Sequence, residues 1–189
     1  MTNFHASPFE TERLLLRPRT LADTDDCLDM DRDPEVLRFV SGPWSDPPAH
    51  RAFIENRTSG PWPPGMGYWT VLLREDPATF VGWVLLIPVD AAGPEIEIGW
   101  RLRKRFWGRG FAVEAARPVL AHAMQGLRLD EVVAEITPEN LGSLKVAEKI
   151  GLRRRGIVQH KGMPAIRYSL KLAEASRVFQ ERFQRGSEG

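Results

Sequence analysis

Across residues 95–116 an apolar stretch carrying two glutamates runs into a basic, glycine-bearing turn and then into an amphipathic helical pattern. Strand, turn and helix N-terminus in that order build an anion site. The first-turn amides of a helix have no carbonyl to pair with and point outward, and the helix dipole favours negative charge there. Gly108 and Gly110 carry no Cβ, so a bulky phosphate can come close to the backbone. Arg101, Arg103, Lys104, Arg105, Arg109 and Arg117 crowd the same stretch, with only Glu114 as counter-charge. A diphosphate is the ligand this suits. Just upstream, Glu95 and Glu97 alternate with isoleucines, so an extended backbone turns both carboxylates to one face.

The elements that must hold these residues follow from periodicity and punctuation. Residues 1–10 read as a short, poorly ordered lead-in, and residues 13–18 as an apolar strand closed by Pro18. A helix capped near Thr20 or Asp23 turns Leu21, Cys27, Leu28 and Met30 inward, and a further turn after Pro34 bears Val36, Leu37 and Phe39. Between them Asp23, Asp25, Asp26, Asp29, Asp31, Asp33 and Glu35 face only Arg32. That run is either a solvated face or a rim that attracts a cationic acceptor. In the Pro- and Gly-rich stretch over residues 41–69 a helix fits only at residues 46–57, with Pro47 and Pro48 in its first turn.

Residues 70–75 and 79–89 predict a hairpin rich in β-branched and aromatic residues. The helix after the glycine turn, residues 109–125, carries Ala112, Ala115, Ala116, Val119, Leu120 and Ala123 as a packing stripe, and Pro118 should bend it or shift its start. A strand with Val132, Val133 and Ile136 is closed by Pro138, and Asn140 caps a short helix that buries Leu144, Ala147 and Ile150 and ends at Gly151. Two closing strands and a last helix over residues 173–185, with Val178, Phe179 and Phe183, complete the chain. The order predicts an α+β fold, a mixed and mostly antiparallel sheet of about seven strands flanked by helices.

The glycine turn resembles the acyl-CoA loop of the GNAT superfamily of N-acetyltransferases, whose motif is Gln or Arg, two residues, Gly, one residue, then Gly or Ala. Two frames fit, one from Arg105 through Gly108 and Gly110, the other from position 107 through Gly110 and Ala112. The second matches the Trp-Gly-x-Gly-x-Ala-x-Glu-Ala form of the ribosomal-protein N-terminal (Rim-type) acetyltransferases. In that frame Trp107 stands where the motif has Gln or Arg, a change that matters little for phosphate because the family's diphosphate contacts are mostly backbone amides. A second block, residues 137–156, resembles the family's Asn-x-x-Ser segment and the short helix after it. Asn140 and Ser143 keep the spacing, Lys149, Ile150 and Gly151 match the helix end, and Leu152 replaces the usual Phe.

The resemblance implies an acetyl-CoA-dependent N-acetyltransferase in which a primary amine, on a peptide or protein N-terminus or a small molecule, attacks directly in a ternary complex. It implies a single-domain fold with strands splayed at the acyl-CoA site. The pantetheine would run along the free backbone edge formed by Ile98, Gly99, Trp100, Arg101 and Leu102, whose N–H groups would also stabilise an oxyanion. The diphosphate would sit on Arg103, Arg105, Phe106, Trp107, Gly108, Arg109, Gly110, Phe111 and Ala112, with Asn140 and Ser143 completing the cofactor contacts. Glu97 is the candidate base and Glu95 a substrate anchor, or the reverse; deprotonation through water is the other route. Ser143 takes the place of a family tyrosine beside the sulfur. Trp44, Trp62 and Trp69 either line the acceptor pocket or pack their loop onto the sheet. The rival from another class is a non-catalytic acyl-CoA-binding module in which Glu97 and Ser143 have no chemical role.

Composition narrows the classes. At 189 residues the chain suits one domain, residues 10–173, with residues 174–189 as a C-terminal helix of that same domain. A net charge of +1 implies no general attraction to nucleic acid or membrane. Cys27 is the only cysteine, which excludes a disulfide-stapled fold, and its acidic surroundings should raise its pKa. The four histidines show no metal spacing, so no metal is expected. No leader-like start and no apolar run near about 18 residues is present, so a cytoplasmic monomer or homodimer is expected.

Overall fold

The computed structural model describes residues 7–185, with side-chain surroundings to residue 179. Its elements in chain order are β1 (Phe9–Glu10), β2 (Leu14–Pro18), α1 (Thr24–Met30), α2 (Pro34–Leu37), α3 (Pro47–Ser59), β3 (Gly67–Leu73), β4 (Phe80–Pro88), β5 (Ile96–Leu102), α4 (Phe111–Ala121), β6 (Glu131–Ile136), α5 (Leu141–Ile150), β7 (Arg153–His160), β8 (Met163–Lys171) and α6 (Leu172–Arg185). One 8-stranded sheet runs in the order β1-β2-β3-β4-β5-β6-β8-β7. Every neighbouring pair is antiparallel except β5 with β6. The strand beyond the expected count is β1, inside the predicted lead-in, where Phe9 pairs with Leu16 and Glu10 with Leu15. Two residues are too short to show an alternation, so only the partner strand reveals it. Residues 1–6 of that lead-in, and the Phe183 side chain, lie outside the described residues.

Strand β4 explains the layering. Val81, Val84 and Leu86 enter the larger core with α4, α5 and α6, while Phe80, Trp83, Leu85 and Ile87 enter a smaller core with Cys27 and Met30 of α1, Val36 of α2 and Ile54 of α3. Buried on both faces, it reads as a nearly continuous apolar run. The predicted stripe of α4 is in place, with Ala115, Ala116, Val119, Leu120 and Ala123 fully buried. Pro118 sits inside that helix, which continues as a π-helical turn over His122–Gly126. Asp46 accepts the Ala49 N–H to start α3, with prolines at its first turn. Leu21, expected inward, is 57% exposed, because the chain opens there with a separate 3₁₀ turn before α1 begins.

Candidate active site

Strand β5 is paired with β4 along its whole length, from Ile96 opposite Pro88 to Leu102 opposite Gly82. Its other side is paired with β6 only at Ile96 with Val132 and Glu97 with Val133. Past that point β6 stays on β8 as far as Ile136, so the two strands part and the β5 edge from Ile98 onward is left open. A cavity of about 620 Å³ occupies the gap. Ile98, Gly99, Trp100 and Arg101 form one wall, the end of β6 the other, and Asn140 and Ser143 stand on its rim. Trp44, Phe53, Tyr68, Trp83 and Leu85 line the same cavity as an aromatic and apolar chamber.

The glycine turn follows β5 directly. The Trp107 indole N–H donates to the Leu102 carbonyl at 2.8 Å, folding the turn back onto the strand end. Gly108 and Gly110 have φ of +70° and +79°, a left-handed conformation that disfavours any side chain, and a Cβ at Gly108 would meet nothing within 4 Å. The first α4 amide to find a carbonyl is that of Glu114, on Gly110 O, and the N–H groups of Phe111, Ala112 and Val113 have no acceptor among the described residues. Lys104, Arg105 and Arg109 are exposed and make no ion pair among the described residues.

Arg13, which the sequence did not single out, anchors this turn. It stacks 4.4 Å from the Phe111 ring, donates to Arg109 O at 3.1 Å and binds Glu114 at 2.6 Å. Burial pushes the Glu114 carboxyl up, but hydrogen bonds from Thr11 and Arg13 outweigh it and hold the group below its usual range. Glu114 is therefore committed to Arg13 rather than to the arginines of the turn.

The charge that was expected to act together at the turn divides in two. Arg103 binds Asp26 at 2.9 Å and also Asp29, and Arg101 binds both oxygens of Asp31 at 3.0 Å, where His50 Nε2 lies 3.1 Å away. Lys104, Arg105 and Arg109, of the set read from sequence, remain without an ion pair among the described residues. The acidic run divides: the Asp23 and Asp31 side chains are buried, while Asp26 and Asp29 keep about half of theirs exposed. Arginines of β2 and of the β5 end pair with all four, so the solvated reading holds in part for Asp26 and Asp29 and fails for Asp23 and Asp31. Arg101 and Arg103 lie 70 or more positions from Asp31, Asp29 and Asp26, beyond any local pattern, whereas Arg17 lies only 6 from Asp23.

Glu95, just before β5, and Glu97, within it, also part company. Glu95 is paired with Arg167, which holds Glu135 at 3.0 Å as well, while His160 Nδ1 lies 2.7 Å from the other oxygen of Glu135. Glu97 lines the cavity, half-buried and without a hydrogen bond or ion pair among the described residues. Burial pushes its carboxyl up to about 7, with Arg57, His160 and Lys161 pulling down and Asp90 adding to the rise. Asn140 caps α5 by accepting the Ser143 N–H at 3.1 Å, and the Ser143 hydroxyl, on the cavity rim, has no hydrogen-bond partner among the described residues. Cys27 is no rival nucleophile. It is 1% exposed, and burial, more than its acidic neighbours, pushes the thiol up to about 11.

Of the tryptophans, Trp44 lines the chamber, whereas Trp69 is fully buried in the larger core and Trp62 donates to Arg57 O at 3.1 Å. Arg19, Arg57, Tyr68 and Trp83, which no motif marked, complete the chamber. An open strand edge, an uncommitted carboxyl and a hydroxyl without a partner among the described residues thus line one gap, and the glycine turn follows the same strand.

Comparison with known proteins agrees with this geometry. The acetyltransferase (GNAT) domain family matches residues 13–153. The uncharacterized N-acetyltransferase p20 of Bacillus licheniformis is 27% identical over 79% of this chain and 84% of its own length. The FsC-acetyl coenzyme A-N(2)-transacetylase of Aspergillus fumigatus is 31% identical over 75% of this chain, which spans 63% of that protein. The crystal structure of an acetyltransferase from Agrobacterium tumefaciens superposes with a TM-score of 0.74 at 28% identity, over 90% of this chain and 97% of that one.

Proposed function

This chain belongs to the GNAT acetyltransferase family and is an acetyl-CoA-dependent acyltransferase, and we propose that it transfers the acetyl group to a primary amine by direct attack within a ternary complex. The carrying observation is that Glu97, unpaired and with its carboxyl near 7, lines the same gap onto which the open β5 edge and Ser143 look.

Acetyl-CoA fits the residues present. The unpaired amides of Phe111, Ala112 and Val113 and the open side of Gly108 would hold the diphosphate, and the edge over residues 98–102 would hold the pantetheine. What the co-substrate supplies is an acetyl group activated as a thioester. Glu97 accepts the proton that the acceptor ammonium must lose before its nitrogen can attack. The C–N bond forms as the C–S bond breaks, and the Ser143 hydroxyl is a donor for the departing sulfur. Backbone N–H groups on the open β5 edge are donors for the carbonyl oxygen. No covalent enzyme intermediate is required. The acceptor is a peptide or protein N-terminal amine or a small-molecule amine; the Rim-type form of the loop supports a shared grip on acetyl-CoA and carries no information on the acceptor.

The test is acetyl-CoA consumption over a panel of amines, with mass spectrometry of the product. A base must be ionised, so activity should rise with pH through about 7 and level off above it. Glu97→Gln should lower kcat by roughly 10²-fold and remove that rising limb, leaving acetyl-CoA affinity unchanged. Near wild-type turnover with the limb intact would assign deprotonation to water, and no turnover on any amine would leave only acyl-CoA binding.

A further inference from the structure

The chamber beyond Glu97 holds a charge that the transfer chemistry does not use. Most charged groups on its wall are matched: Asp31 by Arg101, Asp90 by Lys161 at 2.8 Å, Glu135 by Arg167, and Arg38 by Glu35 at 3.8 Å. Arg19 and Arg57 are left without an ion pair among the described residues, against the single carboxyl of Glu97. Arg19 is the more telling of the two. Only 8% of its surface is exposed, and its Nε and Nη2 are buried without a hydrogen-bond partner.

A guanidinium does not give up its proton to escape burial, so Arg19 keeps its charge, and a buried charge with unused donors calls for a counter-ion. Its neighbours supply none. The guanidinium lies 3.8 Å from the centre of the Tyr68 ring, and the nearby Asp23 is committed to Arg17 at 2.6 Å. Tyr68 also links the two ends of the chamber, its phenol lying in the electrostatic reach of Arg19, Arg57 and Glu97. The walls between are apolar and aromatic, formed by Trp44, Phe53, Trp83 and Leu85.

Resting on the acetyl-transfer reading above, we infer that the acceptor is a free α-amino acid with an apolar or aromatic side chain, its amine at Glu97, its carboxylate on Arg19 with Arg57, and its side chain against Trp44, Phe53 and Trp83. A zwitterion answers both leftover charges at once. The amine and carboxylate of an α-amino acid are both attached to one carbon, which suits a chamber with a carboxyl and an arginine pair on its wall. The product is the N-acetyl amino acid, with the carboxylate unchanged.

The experiment compares L-phenylalanine, L-leucine and L-methionine with their C-terminal amides, their decarboxylated amines and dipeptides that begin with the same residues. Thiol release gives KM and kcat for each. Calorimetry of N-acetyl-L-phenylalanine on the CoA-loaded protein reads the carboxylate site without chemistry. The free acids should have KM values lower than the amides and amines by about tenfold or more. Arg19→Gln should bring that ratio close to one and weaken binding of the acetylated product, with acetyl-CoA affinity as the check on folding. Arg57→Gln should move the ratio the same way, which keeps the test alive if the Arg19 variant does not fold. Equal use of acids and amides, preference for the dipeptides, or an Arg19→Gln enzyme that keeps the ratio would overturn the inference. Turnover confined to uncharged amines would do so too while leaving acetyl transfer standing. Failure of every amine despite tight acetyl-CoA binding would overturn both.

Discussion

At the loop end of β5 Lys104, Arg105 and Arg109 stand exposed and without an ion pair among the described residues, while Arg101 and Arg103, a few residues earlier in the same basic run, are folded onto carboxylates of α1 and the residue that follows it. The loop end is built from consecutive backbone, left-handed glycines and a helix start, and its cations are exposed and without an ion pair among the described residues. The acceptor end is built from side chains that meet across distant elements, and its charges are either paired or buried. A ligand grip made of backbone should tolerate changes of side chain and fail on changes of backbone conformation. A chamber made of buried pairs should behave in the opposite way.

The largest effect should come from Asp31, whose side chain is 2% exposed and serves Arg101 and His50 together. Asp31→Ala leaves that guanidinium facing an empty place, and breaking such a buried pair costs about 3–5 kcal/mol. Denaturant unfolding measures it. A loss below about 1 kcal/mol, the scale of an exposed pair, would mean that the acceptor end is no more rigidly paired than the loop end.

Next in size is Gly110→Val. A left-handed φ of +79° is costly for any residue with a Cβ, by about 1–3 kcal/mol, and worst for a β-branched one. Since the same backbone presents the first amides of α4, acetyl-CoA affinity by calorimetry should fall by about tenfold or more in a protein that remains folded. Unchanged affinity would remove the loop from the site.

Smallest should be Arg105→Ala and Arg109→Ala. Each takes one cation from a solvated group, so each should cost less than about 1 kcal/mol of acetyl-CoA binding, and the difference should fade as added salt screens the field. If either change abolished binding at every salt concentration, that arginine would be a fixed contact and the contrast between the two ends would collapse.

How far each end could be read in advance follows from the same contrast. Gly108, Gly110 and the stripe from Ala112 to Ala123 lie within one short stretch, and Asn140 with Ser143 lies in another, so residue type and spacing reported both. The acceptor end was legible only as an ambiguous acidic run and a group of tryptophans. Nothing local told that Asp31 belongs to Arg101, that Trp44 lines the chamber while Trp69 is core, or that Arg19 and Arg57 are left over.

The sequence by itself determined the α+β layering, the succession of strand, glycine turn and helix start, and the cap that sets Ser143 in the first turn of α5, because each depends on dihedral preference and periodicity over neighbouring residues. Tertiary structure alone decided that β6 would leave β5 after Glu97, opening the gap, and that Glu95 would be neutralised by Arg167 while Glu97 stayed free. It decided as well that burial would push the Glu97 carboxyl up to about 7. Desolvation and pairing depend on what packs around a group, and those neighbours come from β8, α3 and the turns after β4 and β7, far along the chain.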